Sequence, residues 1–147
     1  MNARNFVRES NRIEGITREP TQAEVDEFER FMRLDVVTIG ELERFVSVYQ
    51  SNARLRILPG LDVIVAAHRP PPGGPAIPEM LQALLDSAND EDVSAYDAHI
   101  EYETIHPFTD GNGRSGRMLW AWMMGYDYAL SLGFLHRFYY QTLAAVR

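Results

Sequence analysis

The chain has 147 residues, a net charge of −7 at neutral pH and no cysteine. A chain of this length can bury one hydrophobic core, so we expect a single domain over residues 1–147. The acidic balance argues against binding of a nucleic-acid polymer, because such binding needs a positive face. The lack of cysteine excludes disulfides and thiolate metal sites and agrees with a reducing compartment.

The two ends of the chain bear on membrane contact. The first ten residues carry charges in place of the apolar core of a signal peptide. The apolar run over residues 118–135 is interrupted by Asp127 and punctuated by Gly125 and Gly133, so we interpret it as two buried helices and not as a membrane span. We therefore expect a cytoplasmic protein without membrane contact; no pattern bears on its oligomeric state.

The remaining pattern is mostly helical. Residues 3–14 predict a short helix that stops at Gly15. Residues 21–24 and 38–41 both have the form of a capping box, and each opens a segment with apolar residues at helical spacing. Further helices are expected at about residues 78–88, 94–106 and 113–126, and across the tail to Arg147.

Residues 55–76 break this pattern. Ile57 and residues 63–65 favour extended structure, but they stand among glycines and prolines, including those of residues 69–75. This composition predicts a hairpin or a loop. A disordered spacer is the alternative, although both flanks look ordered and the proline-rich stretch is short.

Residues 106–117 read His-Pro-Phe-Thr-Asp-Gly-Asn-Gly-Arg-Ser-Gly-Arg and combine a base, a carboxylate, glycines and two arginines. Pro107 disfavours helical geometry in the residue before it, so a helix should end at about His106 with its ring free to project. Imidazole is the commonest general base for taking a proton from a hydroxyl. Asp110 offers the hard oxygen ligands that suit Mg²⁺.

The second half of this stretch suits phosphate. Gly111 and Gly113 permit positive φ and the close approach of a ligand, and Asn112 tolerates left-handed backbone. A helix that begins near Gly113 would direct its first amides at the same space. Arg114 and Arg117 share one helix face and can bind phosphate oxygens bidentately. An ordinary surface turn, the alternative, explains the glycines but neither the histidine nor the arginines.

These twelve residues match the Fic signature, His-Pro-Phe-x-[Asp/Glu]-Gly-Asn-Gly-Arg-x-x-Arg, at every defined position, so the chain resembles the Fic (Fido-fold) family. The resemblance implies a mainly α fold, a helical bundle in which residues 55–76 form a β-hairpin flap. The flap would hold a protein substrate by strand pairing. The implied activity is transfer of AMP from ATP to a Ser, Thr or Tyr hydroxyl of a target protein. Doc-like kinases of the family change the Gly-Asn-Gly core, which this chain keeps.

The resemblance also implies a role for each position of the signature. His106 would deprotonate the target hydroxyl, and Asp110 would hold Mg²⁺ against the α- and β-phosphates of ATP. The remaining positions would bind the nucleotide, with an anion hole and two arginines on the β- and γ-phosphates: Gly111, Asn112 and Gly113, then Arg114 and Arg117.

A second motif lies near the N-terminus. Residues 10–15, Ser-Asn-Arg-Ile-Glu-Gly, resemble the Fic inhibitory motif, [Ser/Thr]-x-x-x-Glu-[Gly/Asn], and make residues 3–15 an inhibitory helix. Ser10 and Glu14 would lie one turn apart on one face. A carboxylate in the last turn is disfavoured by the helix dipole and gains from a cation on another element. The resemblance implies that Glu14 pairs with Arg117 and prevents productive placement of the ATP γ-phosphate; a solvated helix end is the alternative.

Two other functions remain open. Some Fic enzymes with an inhibitory glutamate remove AMP from a modified target, and Glu14 would then position water. A non-catalytic nucleotide-binding partner or regulatory module is also possible, although the intact His106 and Asp110 favour an enzyme. His99 and Glu103 share a helical stripe with His106, but their spacing is not the His-x-x-x-His of zinc proteases, so we interpret His99 as a helix-packing residue.

Overall fold

The computed structural model describes residues 2–65 and 67–125. These residues form six helices, which confirms the mainly helical prediction: α1 (Ala3–Ile13), α2 (Gln22–Met32), α3 (Ile39–Tyr49), α4 (Ala76–Asn89), α5 (Ala95–Ile105) and α6 (Asn112–Met124). The helix expected in the tail up to Arg147 lies outside the described residues.

The C-terminus of α1 is closed by a Schellman motif. The Gly15 N–H donates to the Arg12 carbonyl (2.9 Å) and the Ile16 N–H to the Asn11 carbonyl (3.0 Å). Gly15 has φ +78°, a backbone conformation that glycine adopts without steric cost. The predicted stop at Gly15 is confirmed, and it makes Glu14 the last residue of the helix end.

The two predicted capping boxes differ. Thr21 and Glu24 form a complete box at the start of α2, in which each side chain accepts from the other residue's backbone N–H. At the start of α3, Thr38 accepts from the Glu41 N–H (3.2 Å), but the Glu41 carboxylate pairs with Arg30 of α2 (2.6 Å). The second box is therefore only half formed, because a cation on the neighbouring helix binds the carboxylate.

Helix α6 is central and packs against α1, α2, α3 and α5. Phe6 of α1 stacks on Trp120 of α6 and contacts Phe28 of α2. Gly116 allows α5 to lie close, since a Cβ there would come within 3.3 Å of the rings of Tyr102 and His99. His99 is buried in this contact, as its packing interpretation requires. These contacts pack α6 against α1 and α5.

The hairpin expected over residues 55–76 is not confirmed. Within residues 2–65 and 67–125 the backbone forms two isolated antiparallel bridges, Leu55 with Phe108 and Val65 with His68, and no longer strand. Val65 and His68 exchange two backbone hydrogen bonds (3.1 and 2.8 Å). Prolines at 70–72 have no N–H to donate, so the pairing cannot extend through them as a ladder.

The segment that follows the signature bears on the membrane question. Helix α6 ends at Met124, and Gly125 follows with φ +89°. No helix in the part of the chain that the structure describes is long and apolar enough to cross a membrane. The second helix expected in the apolar run of residues 118–135 lies outside the described residues.

Candidate active site

A cavity of about 580 Å³ opens where the ends of α1 and α5 meet the start of α6. Nearly all of the predicted site residues line it: Glu14, His106, Asp110, Gly111, Asn112, Gly113, Arg114 and Arg117. Ser10 is not part of the lining but is hydrogen-bonded to Arg117. The structure thus brings together residues that lie about a hundred positions apart in the sequence.

His106 forms the end of α5, as predicted. Its N–H donates to the Tyr102 carbonyl (2.9 Å) and closes the last turn. The residue then adopts left-handed backbone, with φ 51° and ψ 62°, which costs a non-glycine residue roughly 1–2 kcal/mol. Contacts from other parts of the chain must therefore hold this conformation.

The imidazole of His106 is in a state that suits a base. Burial lowers the pKa of His106 to about 4, and the charges of Arg56 and His68 act in the same direction. The Glu103 backbone carbonyl and the Glu14 carboxylate oppose the shift. The ring is therefore neutral at pH 7 and can accept a proton.

Arg56 is a residue of this region that the sequence did not reveal. Its side chain is fully buried and donates to four backbone carbonyls: Ile105 (2.7 Å), His106 (2.7 Å), Pro71 (2.8 Å) and Leu61 (3.1 Å). Carbonyls at the end of a helix lack intrahelical donors and need partners. The predicted helix end at His106 was the signal that a donor must exist, but nothing in the sequence pointed to Arg56.

The start of α6 presents unpaired amides. Gly111 is the N-cap and has φ +80°, and the first intrahelical bond runs from Ser115 N to Gly111 O (3.0 Å). The N–H groups of Asn112, Gly113 and Arg114 have no acceptor among residues 2–65 and 67–125. Together with the helix dipole, such amides form an anion site.

Gly113 serves this site differently from the prediction. Positive φ occurs at Gly111 but not at Gly113, because Gly113 lies in the first turn of α6. A Cβ at Gly113 would overlap the carboxylate of Glu14. The missing side chain therefore permits close approach, and in this structure the group that approaches is the carboxylate of Glu14.

Asn112 holds the loop that precedes α6. Its Oδ1 accepts from the Phe108 N–H (2.9 Å) and its Nδ2 donates to the Phe108 carbonyl (2.8 Å). The side chain is buried and both of its polar atoms are engaged. For an anion, Asn112 thus offers its backbone N–H rather than its amide side chain.

Asp110 lies exposed at the cavity rim. One carboxylate oxygen accepts from the Gly111 N–H (2.7 Å). No group of three or more potential ligands among His, Cys, Asp and Glu forms within residues 2–65 and 67–125. A cation at Asp110 would therefore need phosphate and water oxygens to complete its shell. Mg²⁺ fits this donor set, since it commonly binds through one or two carboxylates plus substrate phosphates.

Arg117 is buried and binds the C-terminal half of α1. Its Nε donates to Ser10 Oγ (2.9 Å), and its Nη2 donates to the Ser10 carbonyl (3.0 Å) and to Glu14 Oε1 (2.8 Å). The Arg117 side chain is 3% exposed, whereas that of Glu14 is 36% exposed. The predicted pair of Ser10 and Glu14 thus contacts the second arginine of the signature.

Arg114 lies on the other side of the cavity. Its Nη1 donates to the Tyr49 carbonyl (3.3 Å) and its Nη2 to Gln50 Oε1 (3.1 Å), both at the end of α3. Burial lowers the pKa of Arg114, and the Glu14 carboxylate opposes the shift. A guanidinium nevertheless stays charged at neutral pH, so a permanent cation faces the cavity.

Comparison with known proteins shows what this site is similar to. The model of the Fic/DOC family matches residues 62–124, which include α4 to α6 and the loop that carries His106. Protein adenylyltransferase fic-1 of Caenorhabditis briggsae is 44% identical over an aligned stretch that covers 28% of this chain and 10% of that relative. The match thus spans about a tenth of the relative's length. Helix α1, with Ser10 and Glu14, precedes the residues that the family model matches. The part of the chain that carries His106 is therefore similar to the Fic/DOC family.

Proposed function

We propose that the protein is an autoinhibited adenylyltransferase, which transfers AMP from ATP to a Ser, Thr or Tyr hydroxyl of a target protein. The observation that carries this proposal is the common cavity of His106, the unpaired amides of α6 and two arginines. A base beside an anion site is the arrangement that attack of a hydroxyl on a phosphate requires. The name of the relative, protein adenylyltransferase, supports the choice of nucleotide and reaction.

In the proposed reaction the neutral His106 imidazole accepts the proton of the target hydroxyl. The hydroxyl oxygen bonds to the α-phosphorus of ATP, the bond from that phosphorus to the bridging oxygen breaks, and pyrophosphate leaves. The amides at the start of α6 and the guanidinium of Arg114 stabilise the negative charge that develops. Mg²⁺ held at Asp110 would neutralise phosphate charge when bound.

Residues 55–76 are the proposed docking segment for the target. Ile57, Leu58 and Ile64 are large apolar residues that are exposed on it. An extended target segment could pair with backbone groups of this region, which gives affinity largely independent of the target's side chains. Val63 to Val65 also line the cavity, so a target docked there lies beside the reacting groups.

Glu14 is the proposed inhibitor. Its carboxylate lies against the first turn of α6 and pairs with Arg117. It therefore occupies the space that the γ-phosphate of ATP would fill, and it neutralises the guanidinium that this phosphate would bind. Its side chain is partly exposed, so displacement does not require the core to open. We expect the resting protein to be nearly inactive.

The test compares the wild type with Glu14→Gly, Arg117→Ala and the double variant, each incubated with labelled ATP and host lysate. Glu14→Gly should raise auto-modification or target modification by about 10²-fold, since one group that stabilises developing charge is typically worth that much. The double variant should lose the gain, because the released arginine is missing. Chelation of Mg²⁺ should abolish the signal of Glu14→Gly.

Other outcomes would identify the alternatives. A Glu14→Gly variant no more active than the wild type contradicts self-inhibition. Removal of AMP has one observation in its favour: Glu14 and His106 line the same cavity, and the Glu14 carboxylate raises the pKa of His106. Faster release of AMP from a modified target by wild type than by Glu14→Gly would identify this activity. Nucleotide binding without transfer by any variant would indicate a non-catalytic module.

A further inference from the structure

We propose that Arg56 is a positioning residue. It holds the backbone of His106 and the backbone of segment 55–76 in a fixed arrangement relative to each other. The inference deepens the proposed function, since it rests on His106 being the base. Arg56 does not line the cavity, and its side chain forms no hydrogen bond with the imidazole of His106. All four of its side-chain hydrogen bonds go to backbone carbonyls.

The first step concerns the two peptide groups on either side of His106. Arg56 donates from Nη2 to the Ile105 carbonyl and from Nε to the His106 carbonyl, both at 2.7 Å. These carbonyls belong to the peptide planes before and after the His106 Cα. Holding both planes fixes φ and ψ of His106, and these angles determine where its imidazole projects.

The need for such a device follows from the backbone of His106. Its left-handed conformation (φ 51°) is unfavourable for a residue with a Cβ and persists only where the surroundings over-determine it. The preceding helix end also presents carbonyls with partial negative charge, which favour a cation. The planar fork of a guanidinium can satisfy two such carbonyls at once.

The second step concerns the docking segment. The other amino group, Nη1, donates to the carbonyls of Leu61 (3.1 Å) and Pro71 (2.8 Å). The Arg56 backbone adds bonds on both sides, from its N–H to the Pro107 carbonyl and from the Gly74 N–H to its carbonyl, each at 2.9 Å. One buried residue, Arg56, therefore binds both the backbone of the proposed base and the segment that would present the target.

Arg56 also acts on His106 through its charge. It lowers the pKa of His106, as does His68, after the larger effect of burial, whereas the Glu103 backbone carbonyl and the Glu14 carboxylate raise it. A lysine at position 56 would keep the charge but, as a single ammonium, could not reproduce the fork. Charge and geometry can thus be separated by substitution.

The experiment uses the 147-residue chain with Glu14→Gly as the active parent. Arg56→Lys and Arg56→Met are compared with Arg54→Met, a matched control whose exposed side chain lies two residues away. Both Arg56 variants should lower kcat by about 10²-fold, since a misplacement of the reacting groups by roughly 1 Å costs that much, with the KM for ATP nearly unchanged. The acidic limb of the pH profile of kcat should shift to higher pH in Arg56→Met, because a positive charge is lost, and should stay in place in Arg56→Lys.

Three results would overturn the proposal: a kcat of Arg56→Lys equal to that of the parent, a loss expressed wholly in the KM for ATP, or an equal loss in Arg54→Met. Circular dichroism controls for folding. If neither Arg56 variant folds, the residue serves the fold as a whole and the positioning role is wrong.

A second readout separates this inference from the proposed function. If the parent shows no transfer that depends on His106, the proposed function has failed, and titration of the His106 imidazole by NMR decides the role of Arg56. A higher pKa of His106 in Arg56→Met, with a changed ring environment in Arg56→Lys, supports it. An unchanged titration and spectrum in both variants overturns it.

Discussion

Arg56 and Arg117 are two of the buried arginines around the site, and they differ in what holds them. The side chain of Arg56 donates only to backbone carbonyls, whereas Arg117 donates to the hydroxyl and carbonyl of Ser10 and to the carboxylate of Glu14. The Glu14 side chain is 36% exposed and belongs to a helix end. A backbone acceptor cannot leave without unfolding, but a partly exposed carboxylate can rotate away.

The difference divides the site into a fixed side and an exchangeable side. The fixed side comprises the end of α5, the loop up to α6 and Arg56, and it carries the proposed base, His106. The exchangeable side comprises α1 and Arg117, and it carries the proposed inhibitor. A site can be switched without loss of its chemistry when the two tasks rest on different contacts.

The largest expected effect is removal of the base on the fixed side. In the Glu14→Gly parent, His106→Ala should lower transfer by about 10² to 10⁴-fold, the usual contribution of a general base. Nucleotide affinity should change little, because the imidazole acts only during attack. Labelled-ATP transfer and equilibrium binding measure the two quantities. Equal transfer by variant and parent would show that the fixed side does not carry the chemistry.

A smaller effect distinguishes the two sides by stability. Asn112→Ala leaves the N–H and carbonyl of buried Phe108 without partners, at about 1–3 kcal/mol for each group. Glu14→Gln removes one partly exposed ion pair on the exchangeable side and should cost no more than about 1 kcal/mol. Chemical denaturation measures both free energies of unfolding, with the exposed Asn52→Ala as a control. A larger loss in Glu14→Gln would reverse the assignment of the two sides.

The smallest effect is a loss of stability at low pH, which we expect from His99 in the contact between α5 and α6. Burial lowers the pKa of His99 to about 4, against about 6.5 in an unfolded chain. The unfolded state therefore binds the proton first, so stability is full above about pH 6.5 and falls as the pH decreases towards 4. Between pH 7.5 and 4.5 the free energy of unfolding should fall by about 2 kcal/mol more in wild type than in His99→Gln. Denaturation curves at the two pH values measure this; parallel losses would contradict a buried neutral His99.

Predictions based on local rules agreed best with the structure. The stop at Gly15 and the complete box of Thr21 and Glu24 involve neighbours in the sequence, so the residue types alone indicate them. The box at Thr38 failed in its second half because Arg30 of another helix binds the glutamate. The flap prediction required strand pairing, but in the described residues that segment forms only isolated bridges and is bound by the side chain of Arg56.

By itself, the sequence determined most of the described helices and about half of the residues that line the cavity, among them His106, Asp110 and Arg117. These follow from short-range backbone preferences and from side-chain chemistry that a motif concentrates in few positions. The tertiary structure decided that Arg56 binds the carbonyls on either side of the His106 Cα, that the side chain of Asn112 closes its loop and that Gly113 admits a carboxylate. Backbone carbonyls are common to every residue type, so no sequence pattern reveals which distant side chain will bind them.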